Sequence, residues 1–197
     1  VDTVLKLLTD AGLNVEVFDQ FGVNPDSAMV DRGVAFASTL DRDSVIGLGG
    51  GSSLDCAKGI NLILTNGGQI SDYRGYGHAQ KPLLPMVAIP TTAGTGSEAQ
   101  SYAVVSDTTT HLKMACGDQK LAFAAAILDP ELTLSQPTQV TASSGFDAIA
   151  QALESLVSKK SNDQSIKYAS ESLSISLNSF ILFLNNPNLK NAAEMSI

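Results

Sequence analysis

The chain is poor in the residues that staple small folds or build metal clusters. Its 197 residues include two cysteines, Cys56 and Cys116, two histidines, His78 and His111, and no tryptophan. With no Cys-x-x-Cys pair, a disulfide scaffold and a cysteine zinc site are excluded. Basic residues are also scarce. Twelve Lys and Arg against twenty Asp and Glu leave a net charge of -8, and a polyanion of that sign repels nucleic acid. The longest unbroken apolar run, Leu121 to Leu128, falls far short of the roughly 20 residues a membrane-crossing helix needs. No basic stretch followed by an apolar one opens the chain, so a cytoplasmic protein is expected. The first residue is Val1 and the chain enters a helical pattern at once, which reads as a fragment or a processed chain. A hydrophobic content of 44% with mean hydropathy +0.11 supplies a core and excludes disorder.

Val4, Leu5, Leu7, Leu8 and Ala11 have helical spacing, and Gly12 ends the helix. Asn14 to Phe18 alternates and predicts a strand, followed by a loop over Asp19 to Asp26. Ser27 is placed to cap a helix over Ala28 to Leu40. Ser44 to Leu48 predicts a buried parallel strand entering Gly49-Gly50-Gly51, with a helix from Ser52 to about Leu64. Pro85 to Pro90 and Ala124 to Leu128 predict two further strands, with a hairpin of Tyr102 to Ser106 and His111 to Cys116 between them. This order predicts a doubly wound α/β domain. Beyond Pro137 the pattern is helical throughout, over Thr138 to Val157 and Asp163 to Leu184, with another helix starting in Asn188 to Ile197. The expected division is an α/β nucleotide-binding domain over 1–134, lacking its first strand, and the start of an all-helical domain over 135–197.

Three segments carry chemistry. Gly47 to Lys58 delivers consecutive glycines to the mouth of a helix. Glycine lets a ligand approach the backbone, and the helix N-terminus offers unpaired N–H groups that suit a pyrophosphate; a tight strand-to-helix turn explains the same residues. The spacing matches neither the dinucleotide Gly-x-Gly-x-x-Gly pattern nor the P-loop. Pro90 to Glu98 is a hydroxyl-rich loop after the next strand, at the carboxyl edge where open α/β sheets bind ligands; alone it also reads as a solvated polar loop. In Ser144 to Ser155, Asp147 and Gln151 lie four apart on one helix face. An acidic residue in an apolar helix needs a partner or a metal, or is satisfied by backbone N–H groups or solvent.

Taken together, GGGSSLDCAKGI, AIPTTAGTGSE, LDPELT and SGFDAIAQALES resemble the iron-containing (group III) alcohol dehydrogenase family, over the middle of a family member. The resemblance implies a Rossmann-like N-terminal domain, NAD or NADP in the cleft between domains, and a divalent metal, Fe²⁺, Zn²⁺ or another. It implies that Gly50, Gly51 and Ser52 hold the pyrophosphate and that Asp55 lies toward the nicotinamide. Thr91, Thr92 and Ser97 contact phosphates and ribose. Asn24 and Lys113 reach the ribose, and Leu132 lies near the adenine. Asp147 matches the family's metal-ligating Asp. The next ligand is expected to be a His four residues on, where this chain has Gln151, a weak neutral ligand in place of an imidazole. His78 and His111 read as loop or hairpin residues.

The implied activity is metal-assisted hydride transfer between an alcohol and a nicotinamide cofactor. The partners expected are a small alcohol or aldehyde and a second copy of the chain in a homodimer. A hydroxyacid–oxoacid transhydrogenase is an alternative within the family. Gln151 keeps two others open: a metal-free reductase or sugar-phosphate dehydrogenase on the same scaffold, and a nucleotide-binding homologue without turnover.

Overall fold

The computed structural model describes residues 1–185, so the helix expected after Asn188 lies outside the described residues. Three strands form a parallel sheet: β1 (Val45–Gly49), β3 (Met86–Pro90) and β6 (Ala125–Ala126), in the order β1-β3-β6. Val45 pairs with Met86 through to Gly49 with Pro90, so the two glycine- and hydroxyl-bearing loops leave adjacent strand ends side by side. α3 (Gly51–Asn66) makes the crossover from β1 to β3, as a parallel pair requires. Asn61, buried in α3, secures that crossover: its Nδ2 donates to the Leu84 carbonyl at 2.8 Å and its Oδ1 accepts from Leu84 N at 3.2 Å.

A second sheet has the order β2-β5-β4, from β2 (Gly75–Tyr76), β5 (Lys113–Gly117) and β4 (Tyr102–Ser106). β4 and β5 are the expected antiparallel hairpin, with His111 in its turn at φ 57°. This hairpin, rather than a helix, makes most of the connection from β3 to β6. Its inner residues Ala103, Val105, Met114 and Cys116 join Val30 and Leu62 in the core beneath α2 (Ser27–Ser38) and α3. Both cysteines are buried and free. After the 3₁₀ turn Pro130–Thr133, α4 (Thr138–Val157) and α5 (Asp163–Asn185) pack on each other, with Phe146 and Phe180 ring centroids 6.5 Å apart. Among the described residues no helix is long and apolar enough to cross a membrane.

Some boundaries differ from the sequence reading. Asn14 to Phe18 forms no strand. Alternation alone gives backbone groups no partner, and Phe18 packs instead on Phe21 and on Phe36 of α2. The cap of α2 is Asp26, whose carboxylate accepts from Met29 N at 2.8 Å. Ser27 turns its hydroxyl to Thr108, 3.0 Å away, and α2 ends at Ser38. The strand expected over Ala124 to Leu128 shortens to Ala125–Ala126, because this edge strand pairs only with β3. α1 (Asp2–Asp10) matches the first expected helix.

Candidate active site

At the end of β1, Gly49 takes φ +132°, a conformation that L side chains rarely adopt. Gly50 then caps α3 without a side chain, leaving the first-turn N–H groups with no side-chain acceptor. The β3–β4 loop lies directly over this corner. A Cβ on Gly50 would lie 3.1 Å from Thr92 Cγ2, and one on Gly51 would lie 3.0 Å from both Ser97 Oγ and Thr95 Oγ1. The absent side chains thus make room for the second loop, which brings hydroxyls to the helix N-terminus. Thr91 N donates to the Gly49 carbonyl at 2.9 Å, tying the two strand ends together. From the other side, Asn24, left-handed at φ 56°, donates its backbone N–H to Ser52 Oγ at 3.1 Å.

Polar atoms at this corner are buried without partners: Thr92 Oγ1, Thr95 Oγ1, Asp55 Oδ1 and Glu98 Oε2. Asp55, one turn into α3, is only 8% exposed, and its other oxygen accepts from Val104 N at 3.3 Å. Burial pushes its carboxyl up to about 6, against the pull of Lys58, the Val104 N–H, the nearby Ser97 hydroxyl and, more weakly, Lys113. Lys113 sits exposed on β5, so its charge faces the same region. Buried polar atoms without partners are rare in native proteins and point to a missing ligand or water. A group with anionic oxygens and polar edges fits here: the hydroxyls and helix N–H groups donate, and Asp55 Oδ1 accepts.

Lys58 escaped the sequence reading. It is 0% exposed, and its Nζ donates to the carbonyls of Ser97, Gln100 and Tyr102 at 2.7, 2.7 and 2.9 Å. Burial lowers its pKa to about 8, opposed by Asp55 and Glu98. The signal available in the sequence is Asp55-x-x-Lys58, opposite charges one helical turn apart in an apolar helix. Gly94 escaped as well. At φ +119° it presses against the backbone carbonyl of Ser144 in α4, and any Cβ would collide there.

Asp147 and Gln151 stand one turn apart on α4, facing the same loop. Gln151 Nε2 donates to Asp147 Oδ2 at 2.8 Å and to the Gly94 carbonyl at 3.2 Å. Both neighbours are acceptors, so the amide nitrogen is the atom that faces them. As placed, the pair does not fit a divalent metal: the amide turns its donor nitrogen, not its oxygen, toward Asp147 Oδ2. Among the described residues no group of three or more His, Cys, Asp or Glu is placed to hold a metal ion. Leu132 is half-buried in its 3₁₀ turn, with no described contact to the glycine corner.

Comparisons with known proteins give the family and the fold. The profile of the iron-containing alcohol dehydrogenases matches residues 1–130. The chain is 42% identical over 158 residues to the NAD-dependent methanol dehydrogenase of Bacillus methanolicus, covering 80% of this chain and 42% of that protein. It is 40% identical over 161 residues to alcohol dehydrogenase 4 of Schizosaccharomyces pombe, covering 82% and 38%. Its structure superposes on that of a 1,3-propanediol oxidoreductase with a TM-score of 0.93 at 31% identity, over 99% of this chain and 51% of that one. On the sulfoacetaldehyde reductase of Bifidobacterium kashiwanohense in complex with NAD⁺, the TM-score is 0.87 at 31% identity, over 99% and 53%. The chain therefore spans about two-fifths of these curated relatives and half of these solved chains. With the profile matching most of its length, this chain belongs to the iron-containing alcohol dehydrogenase family.

Proposed function

We propose that this chain supplies the dinucleotide site of an NAD(P)-linked oxidoreductase that moves a hydride between a small alcohol and its aldehyde. The observation that carries this reading is the set of partnerless buried atoms, Thr92 Oγ1, Thr95 Oγ1 and Asp55 Oδ1, around a side-chain-free helix cap. The family's cofactor offers partners of the kind that Thr92, Thr95 and Asp55 lack: anionic oxygens for the donors and a carboxamide for the acceptor. In this reading the N–H groups of Gly51 and Ser52, beyond Gly50, receive the pyrophosphate. Thr91, Thr92 and Ser97 line it, and Asn24 and Lys113 reach the ribose. Leu132 serves the adenine, and Asp55 holds the nicotinamide end. The nicotinamide ring accepts or returns the hydride when bound. Residues 1–134 form the nucleotide-binding domain, 135–197 begin the helical one, and the protein works in the cytoplasm as a homodimer.

Calorimetric titration of the 197-residue chain with NAD⁺, NADH, NADP⁺ and NADPH tests this reading. Saturable 1:1 binding of at least one is expected; heats of dilution alone with all four would refute it. A second reading, nucleotide binding without metal-assisted turnover, is favoured by the Gln151–Asp147 hydrogen bond. Alcohol oxidation by the whole protein, assayed with and without a chelator, separates the two.

A further inference from the structure

We propose that Lys58 is a positioning residue for the dinucleotide: its buried ammonium gathers three main-chain carbonyls and so holds the Ser97–Tyr102 segment over the N-terminus of α3. The inference rests on the function proposed above. A fully buried ammonium is expensive to desolvate, and removing it alone leaves the three carbonyls it serves without a donor. Lys58 therefore has a role that methionine does not fill. The geometry shows it. The carbonyls of Ser97, Gln100 and Tyr102 converge on a single nitrogen, and the Phe123 ring closes the other side with its centroid 5.0 Å from Nζ. Within the loop, the described backbone bonds are few, such as Ala99 N to the Gly96 carbonyl at 3.0 Å. Gln100 Nε2 donates to the Thr95 carbonyl at 3.1 Å and Asp118 N to the Ser101 carbonyl at 3.0 Å, and the lysine adds the point at which three carbonyls of the segment converge.

Ser97 is also the residue whose hydroxyl lies where a Gly51 Cβ would touch it. Lys58 lies two turns beyond Gly51 on the same helix face. One face of α3 therefore presents the N-terminus to the cofactor and fixes the loop that covers it. Lys58, 0% exposed, cannot touch the cofactor and acts through Ser97, Gln100 and Tyr102.

The test compares the wild-type 197-residue chain with Lys58→Met and Lys58→Arg. Amide hydrogen exchange over residues 95–102 is measured without cofactor, and affinity for NAD⁺, NADH, NADP⁺ and NADPH by calorimetry. Lys58→Met is expected to speed exchange in this segment about tenfold, leave β1 and β3 unchanged, and weaken binding about tenfold. Lys58→Arg keeps the charge and recovers part of both losses. Unchanged exchange in Lys58→Met overturns the inference while the functional reading stands. So does a loosened loop with undiminished affinity. A wild-type chain that binds none of NAD⁺, NADH, NADP⁺ and NADPH overturns both. Should Lys58→Met fail to fold, the ¹⁵Nζ signal of Lys58 in the wild type decides. A slowly exchanging ammonium that shifts on cofactor addition supports the role, and a signal indifferent to cofactor overturns it.

Discussion

Gln151 Nε2 donates to Asp147 Oδ2 at 2.8 Å across one turn of α4. The amide thus gives this carboxylate a neutral hydrogen-bond donor, and its second hydrogen bond, to the Gly94 carbonyl, joins α4 to the hydroxyl loop. A ligand that binds only the folded state stabilises it by RT ln(1 + [L]/Kd) and so raises the melting temperature. Fe²⁺ or Zn²⁺ at tenfold molar excess should therefore shift the melting of the chain by less than about 1 °C. Gln151→His, which removes the competing donor and adds an imidazole, should make melting respond to the metal. Differential scanning calorimetry with and without metal checks both.

Gly51→Val tests the seam between the loops. With Ser97 Oγ and Thr95 Oγ1 each 3.0 Å from the position of a Cβ, a branched side chain must push the 95–97 segment off α3. The helix N-terminus then loses its hydroxyl cover. Nucleotide affinity should fall about a hundredfold or more, with a stability loss on the order of 1–3 kcal/mol. Calorimetry and urea unfolding measure the two effects separately.

The glycine corner and the hydroxyl loop were legible because both break composition sharply at strand ends, where Gly49 to Gly51 and Thr91 to Ser97 cannot be core. Their mutual contact was not, since nothing local says that Gly51 faces Ser97. Lys58 was hidden for a related reason. Its acceptors lie 39 to 44 residues away, and a lysine in a helix ordinarily reads as solvated. Asn14 to Phe18 was misread because alternation describes a side-chain pattern, whereas a strand also needs a neighbouring backbone. Thr138 to Val157 and the start of the next helix at Asp163 were legible to the residue, because the apolar stripe of each helix is long.

Gly94→Ala should separate the loop from α4. Its φ of +119° is strained for any L residue, and the new methyl would meet the Ser144 carbonyl. Together these should cost roughly 2–4 kcal/mol. Hydrogen exchange should rise in 92–98 and in the first turns of α4 before the β1–β3 ladder responds. Loss confined to global stability, with uniform exchange, would contradict the local coupling.

Asp55 predicts a pH dependence of fixed sign. Its carboxyl titrates near 6 in the fold, against 3.8 as its ordinary value, because burial disfavours the charged form. Between about pH 4 and 6 the folded chain holds a proton that the unfolded chain has released. Stability contributed by this group therefore falls as pH rises through that window, by about 3 kcal/mol, and stays level above it. Below pH 4 both states are protonated and the contribution is flat. Asp55→Asn removes the titration, so urea-unfolding free energies of wild type and variant, measured from pH 4 to 7, should differ in slope: the wild type loses stability relative to Asp55→Asn across the window. Parallel curves would show that Asp55 ionises in the fold as it does in the unfolded chain. With cofactor bound, a donor at Oδ1 favours the carboxylate and lowers its pKa, so the window should move toward lower pH in the complex.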